Sequence, residues 1–125
     1  MNLKDIGRMG EDNAVKYLEN LNYEILERNF RGKYGEIDII ARDGKYISFV
    51  EVKTRNINTK YPAYLAVNKF KKNKIIFTAD EYFIKNKCKL YPRFDIIEIY
   101  FNSNYDLKIN HIKNAFSIEN YNGIF

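Results

Sequence analysis

The sequence predicts an α/β domain in which a five-stranded sheet, opened by an antiparallel meander, is flanked by helices. Three observations carry that expectation. Apolar residues recur at near-helical spacing from Ile6 to Leu21 and again from Ile75 to Phe83. Outside those stretches lie short runs rich in Ile, Val, Phe and Tyr, closed by Gly, Asn or Asp. The 125 residues, 46% of them hydrophobic, suffice for one core and not for two, so residues 1–125 are expected to form a single domain.

Taken in order, Asp5 is a candidate cap for a first helix whose stripe is Ile6, Met9, Ala14, Tyr17, Leu18 and Leu21. Asn22 closes it, because asparagine tolerates a left-handed terminal position. Gly7 and Gly10 are costly inside a helix and predict close backbone approach to a neighbouring strand. Tyr23 to Phe30 then reads as a first strand, and Gly32 and Gly35 turn it into a hairpin. Arg28, Arg31 and Lys33 flank that turn; phosphate contact is one role for them, and a solvated basic turn is the commoner one.

The hairpin Gly35 to Arg55, GEIDIIARDGKYISFVEVKTR, organises the rest. Asp43-Gly44 between two β-rich runs predicts a type I′ turn, with Arg42 facing Lys45, Ala41 facing Tyr46, Ile40 facing Ile47 and Asp38 facing Phe49. The two-residue side-chain period then places Glu36, Asp38, Ile40, Ile47, Phe49, Glu51 and Lys53 on one face, with Asp38 and Glu51 as diagonal neighbours. Like charges on a half-buried sheet need solvent or a cation between them. Oxygen-only ligation suits Mg²⁺ or Mn²⁺, which fill their other positions with water and phosphate oxygens. Lys53 projects from the same face, where it is placed to orient or deprotonate a water or to neutralise charge on phosphorus. The competing reading of E-x-K is an ion-paired, solvated strand edge. For Glu11, near a helix N-terminus, the ordinary role is a dipole partner and the alternative is a third acid at the metal site.

From Val52 to Thr78 the chain carries Lys53, Arg55, Lys60, Lys69, Lys71, Lys72 and Lys74 and no acid. The run starts in a loop, Asn56 to Pro62, and continues into a second helix capped by Asn68, with Ile75, Ile76, Ala79, Tyr82 and Phe83 on its buried stripe. Lysines at a helix N-terminus oppose its dipole, a conflict that a polyanion relieves. Lys71 and Lys74 read as solvating an exposed face, whereas Lys69 is singled out at the helix start. Arg55, Lys69, Arg31 and Lys72 are the candidate nucleic-acid contacts.

Lys85 to Pro92 reads as a polar loop, Arg93 to Phe101 as a fourth strand buried on both faces, and Tyr105 to Lys113 as a fifth, leaving a mixed tail from Asn114 to Phe125. Arg93 and Asp95 are expected to pair structurally across an edge, and His111 to sit on a polar face. The single cysteine, Cys88, excludes a disulfide framework and, with one histidine, a Cys/His zinc site. The N-terminus lacks the apolar core of a signal peptide and no run is long enough to span a bilayer, so a cytoplasmic protein is expected. Net charge of +5 fits a polyanionic partner without requiring one. No G-x-x-x-x-G-K loop occurs, which argues against ATP binding.

With Gly10-Glu11, Arg28-Asn29, Gly35-Glu36-Ile37-Asp38, Phe49-Val50-Glu51-Val52-Lys53-Thr54-Arg55, Lys69, Arg93-Phe94-Asp95 and His111-Ile112-Lys113-Asn114-Ala115-Phe116 in place, the chain resembles the PD-(D/E)xK nuclease superfamily. More closely it resembles the YraN-type family, related to archaeal Holliday junction resolvases. That resemblance implies a restriction-endonuclease-like mixed sheet. It also implies a Mg²⁺- or Mn²⁺-dependent endonuclease that cleaves DNA to leave a 5′-phosphate, with branched junctions among its candidate substrates. Asp38 and Glu51 would be metal ligands, Lys53 the catalytic lysine and Glu11 the assisting helix acid. Ile37 stands where the superfamily's name places proline. A junction-cleaving enzyme needs paired sites and hence a homodimer. The alternative is a non-catalytic nucleic-acid-binding module of a repair or recombination assembly, and RNA is a third possibility as ligand.

Overall fold

A computed structural model of the chain describes residues 2–58, 67–118 and 123. Lys60 and Pro62, in the basic loop, lie outside the described residues, as do 119–122 and 124–125 of the tail. The chain opens with α1 (Leu3–Asn20), whose cap is Asn2 and not Asp5: the Asn2 side chain accepts from the Asp5 N–H at 2.9 Å. Asp5 sits instead within the first turn, where its charge meets the positive end of the helix dipole. Asn22 closes the turn after α1 with φ +67, as its side chain predicted.

The meander follows as β1 (Glu24–Arg31), β2 (Glu36–Asp43) and β3 (Tyr46–Asn56). Asp43 pairs with Tyr46, so Gly44 and Lys45 form the turn. Of those two only Gly44 has a positive φ, +60, which is the glycine-first pattern of a type II′ turn and not the expected type I′. Type I′ would have forced Lys45 into the left-handed region as well. Every expected pairing is therefore displaced by two: Ile40 faces Phe49 and Ala41 faces Ser48. A displacement of two preserves side-chain parity, so Ile40, Ile47 and Phe49 keep the common face predicted for them.

After β3 the chain reaches α2 (Lys69–Lys85), capped as expected by Asn68, which accepts from Lys71 N–H at 2.9 Å. The helix carries the chain over to β4 (Tyr91–Phe101), which pairs parallel with β3, and β5 (Leu107–Phe116) returns antiparallel to β4. The five strands lie in the order β1-β2-β3-β4-β5, giving the expected mixed sheet. On one face Ile40, Ile47, Phe49 and Phe94 pack under Ile75, Ile76, Ala79 and Tyr82 of α2. On the other, Ile39, Ala41, Val50 and Ile97 pack against Ala14 and Leu18 of α1. A sheet covered on both faces explains why Phe94 to Ile99 is buried without alternation.

At one end of β4 lies a buried polar network. Asp95, fully buried, accepts two bonds from Arg93 (3.0 and 2.9 Å) and one from the Asn114 N–H (3.0 Å), and lies 2.8 Å from His111 Nε2. Arg93 also donates to Asp43 and to the Tyr23 hydroxyl. The pair was expected at an edge, but β4 is flanked by β3 and β5, so it ties three strands together. His111 is likewise no polar-face residue; its ring is enclosed, with Nδ1 3.2 Å from the Tyr17 hydroxyl of α1. Burial alone would raise the Asp95 carboxyl, but the bonds from His111, Arg93 and Asn114 hold it well below the usual carboxylate range.

The two glycines of α1 differ. A Cβ on Gly10 would run into the Thr54 side chain of β3, so here the helix backbone touches the sheet, whereas Gly7 faces open space. Gly10→Ala therefore lowers stability by about 1–3 kcal/mol despite its better helix propensity. Adding Thr54→Ala recovers part of that loss, an interaction term readable from urea unfolding of the two single variants and the double variant.

Candidate active site

The site begins where two strands part. The β2–β3 ladder runs from Asp43–Tyr46 to Ile39–Val50, and Asp38 and Glu51 are the first residues beyond it. In place of a backbone carbonyl, the Asp38 carboxylate accepts the Val52 N–H at 2.8 Å. On the other side of β2 the ladder passes from Arg28–Ile39 to Phe30–Ile37, and Asn29 between them has φ +52. Side-chain alternation slips at this point. Ile39 packs on the α1 side, yet Ile37, two residues away, packs on the α2 side. Asparagine is among the few residues that adopt a left-handed conformation cheaply, so Asn29 is suited to this kink.

The parting opens clefts on both sides of the sheet, and Asp38 and Glu51 line each. On the α1 side a cavity of about 330 Å³ is bounded by Gly7, Glu11, Val52, Lys53 and Arg55 as well. Towards α2 a cavity of about 290 Å³ adds Tyr34, Gly35, Lys71 and Lys74. Lys53 Nζ lies 3.3 Å and Lys71 Nζ 3.5 Å from the same oxygen, Oε1 of Glu51. Glu11 is held from behind: with the Asn29 amide oriented so that its nitrogen faces the carboxylates, it donates to Glu11 Oε1 at 2.9 Å and Glu36 Oε1 at 3.1 Å.

Charge and burial set the protonation of this cluster. Burial, then the neighbouring Glu51 carboxylate, push Asp38 from its ordinary 3.8 up to about 8, against the opposing Val52 N–H. Burial also raises Glu11, with Arg28 opposing and Glu36 adding to the rise. Lys53 is lowered, first by burial and then by the adjacent Lys71. Near neutrality this leaves an amine more easily deprotonated than an ordinary lysine beside a carboxyl that holds its proton more tightly than an ordinary aspartate.

Of the residues singled out by sequence, Asp38, Glu51 and Lys53 come together, and Glu11 and Arg55 line the same α1-side cavity. The remaining basic candidates do not join them. Lys69 is exposed at the start of α2 and lines neither cleft, Arg31 is ion-paired to Glu36 at 3.0 Å, and Lys72 lies over the Phe116 ring. Lys71, read from sequence as a solvating residue, is the α2 lysine that reaches the carboxylates. Once Asn68 caps the helix, position 71 turns towards the cleft one residue before Lys72 turns away. Asn29 enters the sequence reading only within the matching Arg28-Asn29 pair, because a side chain that bridges two acids from a kinked strand leaves no periodic signal for that role.

A metal fit rests on the donor set. Among the described residues no cluster of three or more His, Cys, Asp or Glu is poised to hold an ion. Two oxygen-bearing acids, Asp38 and Glu51, share an open cavity, and this is the protein contribution Mg²⁺ commonly takes when water and phosphate complete its shell.

The model of the uncharacterised protein family UPF0102 matches residues 10–99. The chain belongs to the UPF0102 family. A UPF0102 protein of Clostridium botulinum strain Hall is 52% identical over 120 residues, spanning 92% of this chain and 96% of its own. A UPF0102 protein of Clostridium kluyveri is 49% identical over 117 residues with the same coverage. The UPF0102 match takes in Glu11, Asn29, Asp38, Glu51, Lys53 and Lys71, and stops before His111. No helix among the described residues is long and apolar enough to cross a membrane.

Because folded Asp38 binds its proton up to about pH 8 and the unfolded residue only to about 3.8, its contribution to stability is complete at low pH and lost as pH rises through that interval. Asp38→Asn keeps an acceptor for Val52 N–H and removes the charge. In EDTA it should raise the unfolding free energy at pH 8 by about 1–2 kcal/mol and leave it nearly unchanged at pH 4, as read by urea titration at both pH values.

Proposed function

We propose that this protein is a metal-dependent endonuclease that hydrolyses phosphodiester bonds of DNA, branched DNA included. The observation that supports the reading most is the parting of β2 and β3, which gives Asp38, Glu51 and Lys53 one solvent-open cavity. The likeness to PD-(D/E)xK nucleases in the Gly35–Asp38 and Phe49–Arg55 blocks supports it independently.

Asp38 and Glu51 would hold Mg²⁺ or Mn²⁺, which when bound supplies Lewis-acid polarisation of the phosphate and a more acidic water. The chain's own groups do the rest. Lys53, lowered by burial and by Lys71, accepts a proton from the attacking water or balances charge developing on phosphorus. Lys71 neutralises part of the Glu51 charge in the absence of substrate and is within reach of a phosphate in the α2-side cavity. Asn29 restrains Glu11 and Glu36 and so keeps the acids of the kink from scattering. The Val52 N–H fixes one oxygen of Asp38, a residue that lines the cavity.

The test is incubation of purified protein with duplex, single-stranded and four-way-junction DNA, and with RNA, in Mg²⁺, Mn²⁺ or EDTA. Cleavage is expected in the metal arms only, and Asp38→Asn and Lys53→Ala should each lower its rate by about 100-fold or more. Binding without cleavage in every arm would favour the non-catalytic module, and cleavage that survives both substitutions would remove the site from the reaction.

A further inference from the structure

α2 is apolar on two opposite sides. Its core side carries Ile75, Ile76, Ala79 and Tyr82, as a helix packed on a sheet requires. Its outer side carries Phe70, Phe77 and Ile84, spaced by seven and therefore almost in line, and these are 70%, 42% and 55% exposed. A row of large apolar side chains this exposed along one side of a helix marks a contact surface.

Lysines are interleaved with it. Lys74 Nζ lies 4.7 Å from the centre of the Phe70 ring, and Lys33 Nζ lies 5.7 Å from that of Tyr34. Tyr34, at the β1–β2 turn, is 52% exposed, with its ring centre 5.6 Å from that of Phe77. The turn is itself fastened to α2, since both Glu81 carboxylate oxygens accept the Lys33 N–H (2.9 and 3.0 Å). Tyr34 is thus held against the helix and not left on a loose tip. The surface meets the α2-side cavity through Tyr34, Lys71 and Lys74, which line it together with Asp38 and Glu51.

We propose that Tyr34, Phe70 and Phe77, with Lys33, Lys71 and Lys74, form a stacking platform for unpaired nucleotides that leads a single strand to the Asp38–Glu51 cavity. The inference rests on the proposed nuclease reading for what happens in the cavity, but the platform's affinity does not depend on catalysis. Aromatic faces take any base, and the lysines between them follow the phosphates. A paired duplex keeps its bases stacked inside and offers the rings nothing. The substrate class is therefore nucleic acid with a single-stranded segment beside the cut site: a flap, a gap or the unpaired centre of a branch. The acid-free stretch from Val52 to Thr78 supplies the matching charge.

The chain contains no tryptophan, so Phe70→Trp introduces a single indole reporter on the platform. In EDTA, where cleavage is absent, an oligothymidylate or a flapped duplex should quench that indole, and a blunt duplex of equal length should not. Phe70→Ala should weaken oligothymidylate binding by about 5- to 100-fold with an unchanged salt slope. Lys74→Ala should instead reduce the slope of log K against log salt by about one. Oligothymidylate affinity of Phe70→Ala within twofold of the parent, or equal quenching by blunt duplex, overturns the platform. So does a dimer in sedimentation that Phe70→Ala dissociates, since the row would then be a contact between two copies. Quenching by single strands in a protein that cleaves nothing would uphold the platform and sink the nuclease reading, and Mg²⁺-dependent cleavage with no quenching would do the reverse.

Discussion

One hydrogen bond organises the candidate site: Val52 N–H to the Asp38 carboxylate. It replaces a rung of the β2–β3 ladder with a side chain, so β2 leaves β3 just where β3 presents Glu51 and Lys53. Had the ladder continued, the two acids would have been pressed together on a closed sheet, with no room for water or ligand. The parted strands leave the backbone satisfied and the acids accessible, at the expense of a carboxyl pushed up to about 8.

Around that bond the polar side chains are arranged in threes. Glu51 meets Lys53 and Lys71, and the Asn29 amide meets Glu11 and Glu36. Each set joins elements that are distant in sequence, β3 with α2 and α1 with β1 and β2. The neighbouring strand β4 uses the same device with a fully enclosed carboxylate one rung away: Asp95, paired with Val50, gathers Arg93, His111 and the Asn114 N–H. There the donors outweigh burial and the acid stays ionised, whereas at Asp38 they do not. Environment alone separates two aspartates on one sheet, one held ionised by its donors and one pushed towards its protonated form by burial and a neighbouring carboxylate.

Much of this was legible in the sequence. The elements, the antiparallel start of the sheet and the Asn68 cap followed from periodicity and turn chemistry, and the mixed sheet from the family resemblance. The turn type did not, because Asp-Gly and Gly-Lys are both workable centres for a tight turn, and only tertiary packing selects between them. The even displacement kept Ile40, Ile47 and Phe49 on one face, while the kink beside Asn29 breaks the alternation between Ile37 and Ile39. Contacts made across the fold were not readable. Lys71 rather than Lys69 meets Glu51 because α2 docks at an angle set by its core stripe, and Asn29 bends β1 because of what lies behind it on α1. His111 is another such case: a lone histidine in a weak strand carries no sign that an aspartate sixteen residues earlier encloses it.

The parallel pairing of β3 with β4 sets the order in which this molecule can assemble. Two antiparallel hairpin partners of β3 and β2 emerge together, but the central strand that bears Glu51 and Lys53 must wait for Tyr91–Phe101, beyond α2, before its second edge is covered. During synthesis the acids therefore spend an interval on an exposed β-ribbon, with β3 open to pairing by any other extended chain. Lys53 and Arg55 place two positive charges on that strand, and like charges disfavour its pairing with a second copy of itself.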